Sequence, residues 1–357
     1  MREIGSDFWE IRECETYDFL SFIGKKSSDN IVLLKSGRNA IKALCEVIGN
    51  RKIVLLPAFT CSTVIEPFCD SNFEILYYDI NEDFTIDTDS LNHLIANEKP
   101  NLILVHSYWG FNTCRDANLI LQQFRNSGGV LVEDLTQSLF SENVRLEADY
   151  YVSSLQKFFA IPNGGFIMSK NQLNIEKEND KSDIDEIASK TFMLKKDYMA
   201  YKNDAKAQFK EGYKKINAIM EDNSAIYGIS QMSEHILNRL DIGYIKEQRI
   251  KNYNYLHDFV NENCKKLHVA MPKVRQGTVP LYFPVFAKSR SEFQAYMSER
   301  DVYCPIIWSK PEMIKGSFPN ADKMYNNLIC IPIDQRYTEE DMKHIGEVLS
   351  DYENVPI

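Results

Sequence analysis

The feature that most constrains this chain is a rhythm between residues 31 and 170, where short apolar runs alternate with stretches of helical spacing. Ile53-Val54-Leu55-Leu56, Glu74-Ile75-Leu76-Tyr77-Tyr78, Leu102-Ile103-Leu104-Val105 and Val130-Leu131-Val132 are each bounded by turn or polar residues. Uninterrupted runs of this kind suit strands buried on both faces of a parallel sheet. Between them, 41–47, 62–68, 89–96 and 116–124 read as helices. Strand then helix, repeated, predicts βαβ units in a doubly wound α/β sheet. Tyr150-Tyr151-Val152 and Phe166-Ile167-Met168 add two strands separated by the Pro162-Asn163-Gly164-Gly165 turn.

After Lys170 the texture changes to a stretch rich in Lys, Glu, Asp and Asn, with no proline from Asn171 to Asp222. Ile184, Ile187, Thr191, Leu194, Tyr198 and Tyr201 recur at helical spacing, followed by Phe209, Tyr213, Ile216 and Met220, which predicts long amphipathic helices. A further helical segment is expected over 232–260, then strands at 279–286, 303–308 and 328–333. Helices are expected at 291–300 and 338–349, the last capped by Thr338. At 357 residues the chain exceeds the usual size of one core. We therefore expect a large α/β domain over 1–222 and a small α+β domain over 223–357.

The balance of 51 acidic against 41 basic side chains, net −10, argues against nucleic acid as a partner. No apolar run reaches membrane-spanning length, and Met1 to Glu10 lacks a signal-peptide core, so no membrane partner and a cytoplasmic location are expected. None of the eight cysteines forms a Cys-x-x-Cys pair; they read as reduced thiols rather than zinc ligands, and no metal site is expected.

Three elements carry chemistry. Lys157 follows a predicted buried strand, where poor solvation would lower its pKa and free the amine for a Schiff base. Glu133-Asp134-Leu135-Thr136-Gln137 lies at the carboxyl end of another strand, where open α/β sheets bind ligands. A carboxylate there can act as base, metal ligand or counter-ion. Lys35-Ser36-Gly37-Arg38-Asn39-Ala40-Ile41 opens a helix with Ser36 as N-cap, and the free N–H groups of such a start suit a phosphate. No G-x-G-x-x-G follows the first strand, which disfavours a nicotinamide-dependent enzyme.

Taken in this order, the elements resemble the DegT/DnrJ/StrS-type sugar aminotransferases, fold-type I pyridoxal phosphate enzymes. Ser36-Gly37-Arg38-Asn39-Ala40 resembles the family's Ser-Gly-Thr-x-Ala turn, and Pro57-Ala58-Phe59-Thr60 its Pro-x-Phe-Thr loop. Val105 to Gly110 resembles Val-His-x-Tyr-Gly, Glu133 to Gln137 resembles Glu-Asp-x-x-Gln, and Lys157 keeps its spacing to Gly164-Gly165. Leu328 to Ile333 resembles the Leu-x-x-Pro run before the last helix.

The resemblance implies a large, mostly parallel sheet domain with a smaller α+β C-terminal domain, and a homodimer. It implies pyridoxal 5'-phosphate as cofactor and amino transfer from glutamate or glutamine to a keto sugar, nucleotide-linked, in polysaccharide biosynthesis. Lys157 would hold the cofactor as a Schiff base and carry the proton. Asp134 would pair with the pyridine nitrogen, Gln137 with the ring oxygen, and Gly37, Arg38 and Ser154 (or Ser153) with the phosphate. Where the family has an aromatic residue on the ring, this chain has Cys61, with Tyr108 or Trp109 as replacements. Asn163 and Arg38 also depart from the pattern, and Gln231 stands nearest to the arginine of the family's Asn-x-Arg segment. His106, Trp308, Arg336 and Tyr337 are further candidates near substrate, while Arg249, Asn252 and Tyr253 read as a packing helix. Other chemistry on the same fold, dehydration or elimination, and a non-catalytic cofactor-binding regulator are the alternatives.

Overall fold

The structure is a computed structural model that describes residues 3–15, 17–24, 30–49, 53–142, 144–202 and 204–355. Met1 and Arg2, the first residues of the segment read for a signal peptide, lie outside them. After a two-residue strand, β1 (Ile4–Gly5), the chain builds a seven-stranded sheet. Its strands are β2 (Asn30–Leu34), β3 (Ile53–Pro57), β4 (Glu74–Tyr78), β5 (Leu102–His106), β6 (Val130–Asp134), β7 (Tyr150–Ser154) and β8 (Gly165–Ser169). Their order is β2-β8-β7-β6-β5-β3-β4, parallel from β4 to β7, with β8 antiparallel to both of its neighbours.

Each arrangement has a local cause. Every residue of β5 is buried, as a central parallel strand requires. β4 is an edge strand, so Glu74 is exposed and only Tyr78 is fully covered, unlike the two-faced burial expected from its apolar run. The 155–164 connection is too short for a helical crossover, so β8 returns antiparallel. A Cβ on Gly165 would fall 2.3 Å from the Ser36 carbonyl carbon and 2.6 Å from Gly37 N, so only glycine lets the start of the Gly37–Ile48 helix rest on the sheet here.

The register aligns the strand ends. His106 pairs with Asp134, Asp134 with Val152, and Ser154 and Leu34 both with Gly165. The Lys35-Ser36 turn, Asp134 and the turn carrying Lys157 therefore emerge along one edge of the sheet, the carboxyl edge of its parallel strands.

The helices Ile184–Tyr201 and Lys206–Glu221 pack as a hairpin over a second, smaller core that includes Trp9, Ala160, Phe192 and Ile216. Beyond them lies a three-stranded antiparallel sheet of β9 (Leu267–Val269), β10 (Phe283–Ala287) and β12 (Leu328–Ile331), ordered β12-β10-β9. The Glu339–Glu353 helix begins with a capping box, Thr338 with Asp341. The short strand β11 (Val302–Tyr303) pairs in parallel with β1, so the N-terminal segment crosses the boundary expected at 222/223.

Two expected elements differ. The segment 232–260 is not one helix but two, Gln231–Leu237 and Ile242–Asn263. Backbone N–H groups of Tyr17 and Cys14 take the carbonyls of Asn238 and Arg239, and Asp241 caps the second helix; these tertiary bonds hold the break open. The strand expected over 303–308 ends at Tyr303, and the Pro305 carbonyl instead accepts from Cys330 N. Among the described residues no helix is long and apolar enough to cross a membrane.

Candidate active site

At one side of the strand-end edge, Ser36 caps the Gly37–Ile48 helix: its Oγ accepts from Asn39 N at 3.0 Å and its carbonyl from Ala40 N. Among the described residues the N–H groups of Gly37 and Arg38 have no partner. Ser154 stands against this turn, since a Cβ on Gly37 would lie 3.1 Å from Ser154 Cβ. Ser154 is half-exposed on this side, whereas Ser153 is fully buried with its Oγ unpartnered. The Arg38 guanidinium turns along the helix instead, 3.2 Å from Glu66 and donating to the Glu221 carbonyl. Two N–H groups, a serine and a helix N-terminus thus form a cradle for an anion.

In the middle of the edge, Asp134 is 6% exposed. Its Oδ2 lies 3.3 Å from His106 Nδ1, and its Oδ1 accepts from Thr136 N at 2.8 Å. His106 Nε2 is in turn 2.8 Å from Thr60 Oγ1. Gln137 Oε1 accepts from Trp109 N at 2.8 Å, which leaves the amide NH2 as the donor end of that side chain. Cys61 precedes the Ser62–Asp70 helix, half-exposed, with Sγ 2.9 Å from Thr63 Oγ1. Burial pushes the Cys61 thiol up; the Thr63 hydroxyl and the Lys157 ammonium oppose this rise, and the Asp134 carboxylate adds to it. The thiol therefore feels both charges of the site.

Lys157 sits in a turn closed by Phe158 N donating to Leu155 O, with Leu155 N bonded to Gly164 O. It is exposed, contrary to the poorly solvated lysine expected from the strand before it, because the turn carries the side chain past the end of β7. Among the described residues its amine makes no hydrogen bond or ion pair. It lines a cavity of about 480 Å³ whose other walls include Ser6, Asp7, Arg249, Tyr282 and Arg336.

Tyr108 and Trp109 are enclosed. The Tyr108 hydroxyl donates to the Phe59 carbonyl, and Trp109 has no exposed surface and a φ of +57°. Trp308, half-buried, packs on Phe59 and His106 with ring centroids at 4.9 and 5.9 Å. Of Cys61, Tyr108 and Trp109, only Cys61 is not fully enclosed. Gln231 is exposed at the first position of its helix. Tyr337 is buried, its hydroxyl bonded to Gly5. Asn252 is buried and donates to the carbonyls of Ile333, Asp334 and Tyr337.

Sequence reasoning named Thr60 and Thr136 only as members of motifs, without a role, and passed over Asp334 and Gln335. Asp334 and Gln335 are buried, and Asp334 binds Arg336 at 2.7 and 2.8 Å. The signal was a polar triplet, Asp334-Gln335-Arg336, following the buried strand and Pro332-Ile333. Among the described residues no group of His, Cys, Asp or Glu is arranged to hold a metal ion.

A model of the DegT/DnrJ/EryC1/StrS aminotransferase family matches residues 13–350. Among solved structures, the chain is similar to Spr1654 from Streptococcus pneumoniae in its PMP-form, at 16% identity and a TM-score of 0.68, over 94% of this chain and 88% of that one. It is similar to Helicobacter pylori PseC, an aminotransferase of pseudoaminic acid biosynthesis, at 12% identity and 0.67, over 94% and 89%. S. venezuelae DesV matches at 15% identity and 0.65, over 95% and 88%. At these identities the likeness is one of fold.

Proposed function

Because the chain belongs to the DegT/DnrJ/EryC1/StrS aminotransferase family, we propose that it moves an amino group from glutamate or glutamine to a keto sugar carried on a nucleotide, using pyridoxal phosphate and working as a homodimer. The observation that carries this reading is the line of groups along one sheet edge: two helix N–H groups and an exposed lysine amine, all without a partner among the described residues, and between them a carboxylate braced by a histidine.

These residues fit the cofactor by their chemistry. The N–H groups of Gly37 and Arg38 and the Ser154 hydroxyl would take the phosphate, with the helix dipole favouring its charge. Asp134 would hold a proton on the pyridine nitrogen, and its bonds from Thr136 N and to His106 keep the carboxylate aimed. Gln137 would donate from its free amide end to the ring oxygen. Cys61 would give the ring a small polarizable neighbour in place of an aromatic one. When bound, pyridoxal phosphate supplies an electron sink for the carbon that loses a proton.

The rest of the work falls to Lys157. Its amine would hold the cofactor, and when free its Nζ would take the donor's α-proton and hold it for return. With the keto sugar in place, the same Nζ would deliver a proton to the sugar carbon. An amine with no competing partner is free for both tasks.

Borohydride reduction of the purified, cofactor-loaded protein, followed by peptide mapping, tests the assignment. Cofactor fixed on the Lys157 peptide is expected. Addition of glutamate or glutamine should then release the matching keto acid in a single turnover. Fixation elsewhere would reject Lys157, and fixation without keto acid from either donor would reject amino transfer in favour of a cofactor-binding regulator.

A further inference from the structure

We propose that Gln335 is a positioning residue for Lys157, transmitting the placement of the C-terminal sheet to the lysine turn. The inference rests on the reading of Lys157 as the cofactor-bearing lysine.

Among the described residues Lys157 has no side-chain partner to direct it, so its aim comes from its backbone. A free lysine side chain has many rotamers, and an unanchored backbone would add to that freedom. The neighbouring residue, Phe158, is held at two points by residues distant in sequence. Gln335 Nε2 donates to the Phe158 carbonyl at 2.7 Å. The Arg249 guanidinium lies 4.8 Å from the centre of the Phe158 ring.

Gln335 and Arg249 are themselves locked together, with Arg249 Nε donating to Gln335 Oε1 at 2.9 Å. Arg249 is fully buried and also donates to the carbonyls of Leu281 and Pro280 at 2.8 and 3.3 Å. Both ends of the Gln335 amide are therefore used: its oxygen reads the Ile242–Asn263 helix and its nitrogen reads the lysine turn. Burying a guanidinium is unfavourable, and burial lowers the Arg249 pKa to about 10. Three hydrogen bonds and the nearby Asp334 charge compensate that burial, and the same guanidinium faces the residue next to the lysine.

Gln335→Glu keeps the acceptor for Arg249 and loses the N–H to Phe158; Gln335→Met keeps the length and loses both bonds. In each variant, amide hydrogen exchange over 155–160 should quicken. Borohydride fixation of pyridoxal phosphate on Lys157 should slow by about 10- to 100-fold, with kcat falling and KM for the donor little changed. A purely structural residue would lower the thermal midpoint and leave the fixation rate of the folded fraction unchanged. Native-like fixation and kcat in Gln335→Glu, whatever its exchange, would overturn the inference and leave the assignment of Lys157 standing. Absence of fixation on Lys157 in the unmodified protein would instead overturn the assignment, and the inference with it. If Gln335→Met does not fold, Gln335→Glu decides.

Discussion

Lys157 and Lys195 are opposites within one molecule. Lys195, on the Ile184–Tyr201 helix, is 1% exposed. Its amine donates to Ser6 Oγ at 2.8 Å and to the Asp7 carbonyl at 2.7 Å, and it lies over the rings of Trp9, Tyr213 and Phe209 at 4.8, 5.1 and 5.6 Å. Burial, with the nearby Arg336 charge, pushes its pKa down to about 7, against the opposing pull of Asp7, Glu3 and Asp334. By the argument from desolvation it is the activated amine. It borders a cavity of about 580 Å³ but stays almost wholly covered there, and its protons are engaged in fastening the N-terminal segment. Lys157 has the reverse character: its side chain is exposed and, among the described residues, its amine has no partner. A perturbed pKa marks an environment, whereas nucleophilic use also needs a path to the substrate.

The largest way to break this contrast is Lys157→Ala. It should abolish borohydride-stable fixation and slow the first half-reaction by roughly 10³-fold or more; the same effects from Lys195→Met would mean that the two lysines have been assigned the wrong way round. Next is Asp134→Asn, which keeps the shape of the braced carboxylate and removes its charge. We expect a loss of about 10²–10³ in the rate of keto acid release, measured by single-turnover mixing, with the fold intact by circular dichroism.

Lys195→Met addresses the other half of the contrast. It leaves Ser6 Oγ and the Asp7 carbonyl without their donor, a loss of about 1–3 kcal/mol in unfolding free energy at alkaline pH. Between about 7 and the ordinary lysine value the unfolded chain binds a proton that the folded chain does not. Native stability should therefore rise with pH through that window, relative to the variant, and lose this advantage as pH falls toward 7. Parallel denaturant titrations of the two proteins would show whether their difference follows pH in this direction; a difference that shrinks with rising pH would contradict a depressed Lys195.

The smallest effect concerns Cys61. Iodoacetamide should alkylate it slowly at neutral pH, because the thiol sits above its ordinary value. Lys157→Ala removes an ammonium that opposes the rise, so the pH midpoint of the alkylation rate should move up, by roughly one unit or less. A midpoint that does not move would place the lysine amine away from the Cys61 thiol.

Much of the large sheet was legible because apolar runs and helical spacing are local patterns. Six of its strands were read within a residue or two, from β3 to β8, and Ser36 could be recognised as a cap from its neighbours alone. The same holds for Thr338. What failed depended on distant partners. The break at 238–241 is held by backbone N–H groups from Cys14 and Tyr17. The edge position of Glu74–Tyr78 follows from strand order, which periodicity does not encode. Within the site, Asp134, Lys157 and the Ser36-Gly37 turn were picked out by motif. Gln335 was not, because its importance lies in one carbonyl 177 positions away.

The sequence by itself determined which segments become strands and helices, and which residue types stand at the strand ends, since both follow from side-chain periodicity and from the chemistry of caps and turns. Only the tertiary structure decided which of those residues meet and which remain open. It enclosed Trp109, left Cys61 only partly covered, turned Arg38 onto Glu66 and carried Lys157 into solvent while caging Lys195. The reason is that exposure and partnership belong to pairs of surfaces, and the surfaces that cover Lys195 come from residues 6–9 and 209–213, far from it along the chain.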